Sequence, residues 1–195
     1  MLKDLSSPLA LLGTRRSGKA RDMIGPGPTD EQLERILQIA ARTPDHGKLH
    51  PWRFVVVADD QRQDLARLLS AALSENDPAA THAHHQKAAE FAHQGEALVV
   101  LVFAPVDNGK IPLWEQELSC GAVGMNMLHA AHAMGFVGSW LTGWAAYDPT
   151  VRKAFCLPAE RIAGFFFFGS PGQPLVERPR PEVPSVVRHW QPPLD

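Results

Sequence analysis

Cysteine is nearly absent: Cys120 and Cys156 are the only two in 195 residues, and no C-x-x-C pair occurs. That excludes a disulfide scaffold and a zinc ribbon, and it suits a reducing, cytoplasmic compartment. An excess of either charge is also missing, since 19 Lys+Arg face 21 Asp+Glu. A balance of −2 argues against nucleic acid or an anionic membrane surface as the main partner. Apolar runs are broken by polar residues before they reach the roughly 20 residues a bilayer span needs. The N-terminus, with Lys3 and Asp4, does not read as a signal peptide. With 45% hydrophobic and 21% charged residues, the composition is that of an ordinary globular protein, and the length suits one domain over residues 1–195.

A second absence is local. From Leu118 to Tyr147 there are thirty residues without one Asp, Glu, Lys or Arg, so deep burial is expected there. Pro112–Met134 reads as one long helix, with Glu115 and Glu117 at its start, where the helix dipole favours them, and Gly135 as its C-terminal cap. Leu2, Leu5, Leu9 and Leu12 predict a short leading helix, and Thr29 with Gln32 predicts a capping box before Leu33, Ile36, Leu37 and Ala40. Gln61–Leu73 reads as an amphipathic helix, and the His-rich segment Glu75–His93 as loop plus helix on the surface. Phe54–Ala58, Ala97–Ala104 and Ile162–Phe168 read as buried strands, and Asp148-Pro149 as a helix start. Seven of the 17 prolines fall in the last twenty-five residues, which therefore suit either disorder or an extended arm and not a central strand or helix. The sum is an α+β or α/β chain, a small sheet flanked by helices.

Several groups could carry chemistry. Gly13-Thr14-Arg15-Arg16-Ser17-Gly18-Lys19 has the spacing of a phosphate loop, but Ala20 stands where magnesium coordination requires Ser or Thr, and no strand precedes it. Two adjacent guanidiniums and a hydroxyl remain, a set that can grip a phosphate monoester. Thr43–Trp52 places His46, Lys48, His50 and Trp52 in a loop between helix and strand, where ligand contacts tend to sit. Pro44, Gly47 and Pro51 break the helix that would align His46 and His50 with Asp45 for a metal, so no metal is expected. Gly138–Gly143 is a glycine-bracketed turn whose backbone can approach a flat ligand closely.

In this order the pieces resemble the nitroreductase family of FMN-dependent oxidoreductases, in its small single-domain form. Arg15-Arg16-Ser17 is similar to the family's phosphate-gripping opening, and Pro44, Pro51 and Trp52 match its P-S-x-x-N-x-Q-P-W segment. Trp114-Glu115-Gln116-Glu117 with the long helix, and Gly135–Trp140, resemble its central dimer helix and flavin-side turn. Gly169-Ser170-Pro171 and Arg178-Pro179-Arg180-Pro181 resemble its closing strand and basic tail. Asp45, Lys48 and His50 depart from the usual Ser, Asn and Gln.

The resemblance implies a nitroreductase-like fold with a small mixed sheet and a long central helix at a homodimer interface. A proline-rich arm from about 171 would reach around the partner. It implies FMN held by Arg15, Arg16 and Ser17 at the phosphate, by His46 and His50 at the ring's polar edge, and by the backbone of Trp140, Leu141 and Thr142 near N5. Either Arg178 or Arg180 joins the phosphate. NADH or NADPH would be a transient reductant, and a nitroaromatic, quinone or similar electron-poor small molecule the acceptor, in a ping-pong cycle without a catalytic side chain. The lack of a Rossmann G-x-G-x-x-G does not oppose this, because the nicotinamide would bind against the flavin. The alternatives are a flavin-consuming or dehalogenating relative on the same fold, or a non-enzymatic dimeric binding protein.

Overall fold

The computed structural model describes residues 2–192; Met1 and the last three residues of the expected arm, 193–195, lie outside it. Ser7 opens α1 (Pro8–Thr14) by accepting a hydrogen bond from Ala10 N–H, with Pro8 in the first turn, where its missing N–H costs nothing. The leucine spacing predicts this helix from residue 2, but the cap delays it to residue 8, and Leu5, Leu9 and Leu12 stay exposed. The preceding residues fold back on the helix end, where Lys3 N–H donates to Thr14 O and Asp4 N–H to Thr14 Oγ1.

Next come β1 (Met23–Ile24) and α2 (Asp30–Ala40), which begins on the expected Thr29–Gln32 capping box. Then β2 (Trp52–Val57), the helical pair α3 (Arg62–Asn76) and α4 (His82–Ala92), β3 (Ala97–Phe103) and α5 (Leu113–Ala133) follow. The chain closes with β4 (Val137–Leu141), α6 (Pro149–Phe155), β5 (Arg161–Pro171) and α7 (Val183–Val186). Asp148 caps α6 by accepting from the Thr150 and Val151 N–H groups.

The strands form one sheet in the order β1-β5-β3-β2, with β4 also on β5. Trp52 stands opposite Phe103, Phe103 opposite Arg161, and Val137 opposite Gly169. Every pairing among the described residues is antiparallel, which corrects the expected mixed sheet. The connections explain it. Two helices, not one, lie between β2 and β3, so the chain re-enters the sheet reversed. The single crossover through α5 sets β3 and β4 parallel, but β5 runs between them.

Phe165, Phe166, Phe167 and Phe168 are all fully buried. Their strand has neighbours on both edges and helices on both faces, so the apolar run shows no alternation. Phe165 and Phe167 join Leu98, Val100 and Val102 under α3, α4 and α6, while Phe166 and Phe168 join Val99, Leu101 and Trp52 under α2 and α5. Phe54–Ala58, expected to be buried, belongs to an outer strand paired with β3 alone, and Val56 is 45% exposed. α4 settles on α3 through Ala88 and Ala92, so the His-rich segment is only partly surface.

The long helix ends where its sequence says it should. Gly135 has φ +89°, the Gly135 N–H donates to His132 O and the Phe136 N–H to Ala131 O. Gly124 lets α5 approach the sheet, because a Cβ there would sit 2.7 Å from Phe166 Cζ. The Gly138–Gly143 segment, read as a turn, is instead strand β4 through Leu141. Gly138 is there for contact with α5, a Cβ being placed 2.6 Å from Leu128 Cδ2.

Candidate functional site

Arg15-Arg16-Ser17 forms an irregular bend between α1 and a short 3-10 turn at Ala20–Asp22. The Arg15 guanidinium donates through Nη2 to Ser17 Oγ at 3.3 Å, while its buried Nε has no hydrogen-bond partner. Arg16 donates from Nε to Val176 O at 2.8 Å and from Nη1 to Ser17 O at 3.3 Å. Burial, then the like charges of Arg180 and Arg16, push the Arg15 pKa below the usual guanidinium value. A half-buried cation crowded by other cations, with a donor left unfilled, is suited to receive an anion. A cavity of about 420 Å³ opens beside Arg16, Ser17, Lys19 and the tail segment Pro174–Val176. Of the two tail arginines, Arg180 is the one whose charge acts on Arg15; Arg180 also pairs with Glu177, to which Arg178 gives only its backbone N–H.

Gly18 ties this bend to the head of β4, since a Cβ there would lie 2.8 Å from Val137 Cγ2. β4 pairs only with β5 among the described residues, so its other edge is open. That edge runs from Val137 toward Thr142, roughly 17 Å at about 3.4 Å per residue. The Trp140 indole lies on Phe166, centroids 4.9 Å apart, donates from Nε1 to Ala163 O at 3.0 Å, and is 37% exposed. Leu141 packs on the core beneath α3, α4 and α6. Thr142 lines a cavity of about 470 Å³ together with Arg21, Lys87, Gln94 and Trp144. Lys87 and Trp144 also line a wider groove of about 620 Å³ beside Asn76 and Asp148. Arg21, Lys87 and Gln94 went unread in the sequence, because only the fold brings α4 beside the end of β4.

The Thr43–Trp52 loop sits elsewhere. His46 Nδ1 is 2.7 Å from Glu115 Oε2 at the start of α5, and the His50 ring stands edge-on to Trp52. Asp45 Oδ2 accepts from the Leu49 and His50 N–H groups, at 2.5 and 3.1 Å. Those bonds hold a backbone in which Lys48 and His50 take positive φ of 57° and 49°, a conformation costly for residues with a Cβ. Asp45 is thus the loop's clamp, and no group of three or more His, Cys, Asp or Glu side chains disposed to hold a metal occurs among the described residues. Asn126 Nδ2 donates to Thr43 Oγ1 at 2.7 Å; its signal in the sequence is a lone amide in a charge-free helix.

Two rulers separate this loop from the bend. Glu115, beside His46, and His132, whose ring meets the Arg16 carbonyl, are seventeen residues apart on α5, roughly 25 Å at about 1.5 Å per residue. Along β5, Arg161 marks the Trp52 end and Gly169 the Val137 end, again roughly 26 Å at about 3.3 Å per residue. The structure therefore gathers Arg15, Arg16, Ser17, Trp140, Leu141 and Thr142 along one side and leaves His46 and His50 at the far end.

This sheet, long helix and bend define an α+β fold with a cationic group at the head of an open strand edge. The sequence pattern of the Nitroreductase family matches residues 15–170, and the chain belongs to that family. It is similar to "Putative NAD(P)H nitroreductase YdjA" of Escherichia coli K12, 36% identical over 167 residues, 84% of this chain and 87% of that one. Among solved structures, a nitroreductase-like family protein from Bacillus cereus matches with a TM-score of 0.79 at 18% identity, covering 94% of this chain and 95% of that one. A structure from Desulfovibrio desulfuricans titled "a putative nitroreductase in complex with FMN" matches with a TM-score of 0.71 at 22% identity, over 96% and 99% of the two chains. No described helix is long and apolar enough to cross a membrane.

Proposed function

We propose that the chain is an FMN-dependent NAD(P)H oxidoreductase that works as a homodimer in the cytoplasm and reduces nitroaromatic, quinone or similar electron-poor small molecules. The observation that carries this reading is the unfilled, buried Arg15 donor at the head of an open strand edge. A phosphate at that bend would be followed by a strand's length of backbone and then by the cavity at Thr142. FMN presents a phosphate, a ribityl chain and a flat ring in the same order. The E. coli relative's name and the D. desulfuricans complex support the same cofactor and reductant.

The residues fit the group. Arg15 and Arg16 would hold the phosphate oxygens with charge-assisted hydrogen bonds. Ser17 offers a hydroxyl, Arg180 a further cation, and the backbone around Trp140, Leu141 and Thr142 offers N–H groups at the ring end. His46 and His50 would satisfy the ring's polar edge; they lie roughly 25 Å along α5 from the bend that would hold the phosphate. In this reading a second copy supplies them. The exposed Leu113, Trp114 and Leu118 on α5, and Val183, Val186 and Trp190 of the arm, provide apolar surface for that copy. In this reading residues 1–195 form one domain whose arm, from about 171, embraces the partner.

Bound there, FMN would supply hydride transfer in two half-reactions, from NAD(P)H and then to the acceptor. The chain's own residues bind, orient and exclude water, and none is assigned as acid or base. The test is a spectrum of the purified protein, followed by anaerobic titration with each nicotinamide. Absorbance in the flavin band, roughly 450 nm, that bleaches with NADH or NADPH is the expected result. A colourless protein that takes up no added FMN refutes the reading.

A further inference from the structure

His132 lies in the last turn of α5 and is fully buried. Its Nδ1 is 2.5 Å from Leu128 O and its Nε2 is 3.0 Å from Arg16 O. The second contact joins residues 116 apart in the chain. Among the described residues it is the one polar contact from the long helix to the backbone of the cationic bend. Among the described residues, the side chains of the bend are held by Ser17 Oγ, Ser17 O and Val176 O.

Both ring nitrogens face carbonyl oxygens, which only accept. A neutral imidazole carries one N–H and satisfies one of them; the imidazolium carries two and satisfies both. In the absence of an anion the charged form is opposed by burial and by the cations Arg15 and Lys3. Lys3 reaches over from the N-terminal segment to Gly135 O, His129 stands one turn earlier on the same helix, and Arg180 and Glu177 of the tail act on Arg15. A phosphate at the bend would offset those cations and favour the second proton.

We propose that His132 is a positioning residue for the phosphate-binding bend, holding the Arg16 carbonyl through Nε2–H, and that its ring gains a proton when a phosphate monoester docks. The proposal rests on the reading of Arg15, Arg16 and Ser17 as a phosphate site. It predicts that ligand affinity depends on His132 only when the ligand carries a phosphate.

The test compares FMN with riboflavin, which lacks the phosphate, on the full chain freed of flavin. His132→Asn keeps a polar group near Nδ1 and loses the one at Nε2, whereas His132→Gln keeps a donor near Nε2. One net hydrogen bond corresponds to a change of roughly threefold to tenfold. His132→Asn is expected to weaken FMN by about that factor, with riboflavin unchanged, and His132→Gln to restore FMN. Calorimetry at pH 8 in buffers of different ionisation enthalpy should show more protons taken up per FMN by the wild type than by His132→Gln. A folded His132→Asn that binds FMN as the wild type does, or equal proton uptake in wild type and His132→Gln, overturns the proposal. A wild type that binds no FMN would instead refute the cofactor reading. If His132→Asn does not fold, the proton comparison with His132→Gln decides alone.

Discussion

Two variants that each lack flavin should recover it when mixed. Arg15→Ala/Ser17→Ala removes two of the bend's three candidate phosphate donors, and His46→Ala/His50→Ala removes the imidazoles of the loop. Hydrogen bonds to charged groups contribute about 1.5–3 kcal/mol, so the first variant should lose roughly tenfold to a hundredfold in FMN affinity. The two groups stand roughly 25 Å apart along α5, and the proposed dimer draws each site's bend from one copy and its loop from the other. In a mixed dimer both lesions then fall on one site and the second site is intact. Random exchange makes half the dimers mixed, so flavin should return to about a quarter of the wild-type content, given a closed two-fold dimer. Flavin absorbance of the unsorted mixture measures this, and mixed dimers isolated through two different tags should carry about half the wild-type content. Were bend and loop to serve one site within a chain, every site in a mixed dimer would be broken. Co-purified mixed dimers without flavin would therefore refute the argument from the helix.

Phe166→Ala should lower the urea midpoint by the equivalent of about 3–5 kcal/mol, because the ring is fully buried against Gly124 and Trp140. Val56→Ala on the outer strand should cost less than about 1 kcal/mol, and similar losses at the two positions would contradict the sheet order. The Arg53 guanidinium hydrogen-bonded to Glu160 holds that carboxyl below the usual range. Its stabilisation is therefore complete above the unfolded pKa and is lost as pH falls through the folded one. Glu160→Gln should destabilise at pH 7, on the order of 1 kcal/mol since Arg53 is 42% exposed, and the gap should close below about pH 4. A gap that widens in acid would reverse the assignment. Burial pushes the Cys120 thiol up to about 12, so a thiol reagent at pH 8 should spare it in the native protein and reach it after denaturation; rapid native labelling at Cys120 would oppose its placement.

What the sequence discloses is what local chemistry dictates. The Thr29–Gln32 cap, the ends of α5 and the β3 and β5 runs are set by neighbours within a turn or two of chain, and they appear where expected. β4 was hidden because Gly138 and Ser139 are poor strand formers, and the small size of Gly138 answers to Leu128 and Phe168, which lie elsewhere in the chain. The antiparallel sheet was hidden because direction follows from the number of intervening helices. Arg15, Arg16 and Ser17 could be read as a cationic group, but the empty Arg15 donor, the His132 anchor and the nearness of Lys87 to Thr142 belong to the tertiary structure. Asp45 reads as a departure from a motif in the sequence and as the clamp of a strained loop in the fold.

The charge-free stretch Leu118–Tyr147 is only half explained by one chain. Its buried members face the sheet, as Val123, Gly124, Met127 and Ala131 do. Its exposed members are Leu118, Ala122, Ala133, Trp140, Gly143, Trp144 and Tyr147, positions where solvent would tolerate any charge. In a chain with 21% charged residues, an outward surface without one calls for a second burial, and Leu118 and Ala122 follow Trp114 at four-residue spacing along one face of α5. Leu118→Glu tests this directly. Leu118 is 54% exposed in the single chain, so the substitution should alter monomer stability by no more than about 0.5 kcal/mol. A carboxylate at the two-fold contact would meet its own copy, so light scattering should report a monomer, and flavin should be lost because the loop no longer reaches the bend. A Leu118→Glu protein that remains dimeric and yellow would place the interface on another face.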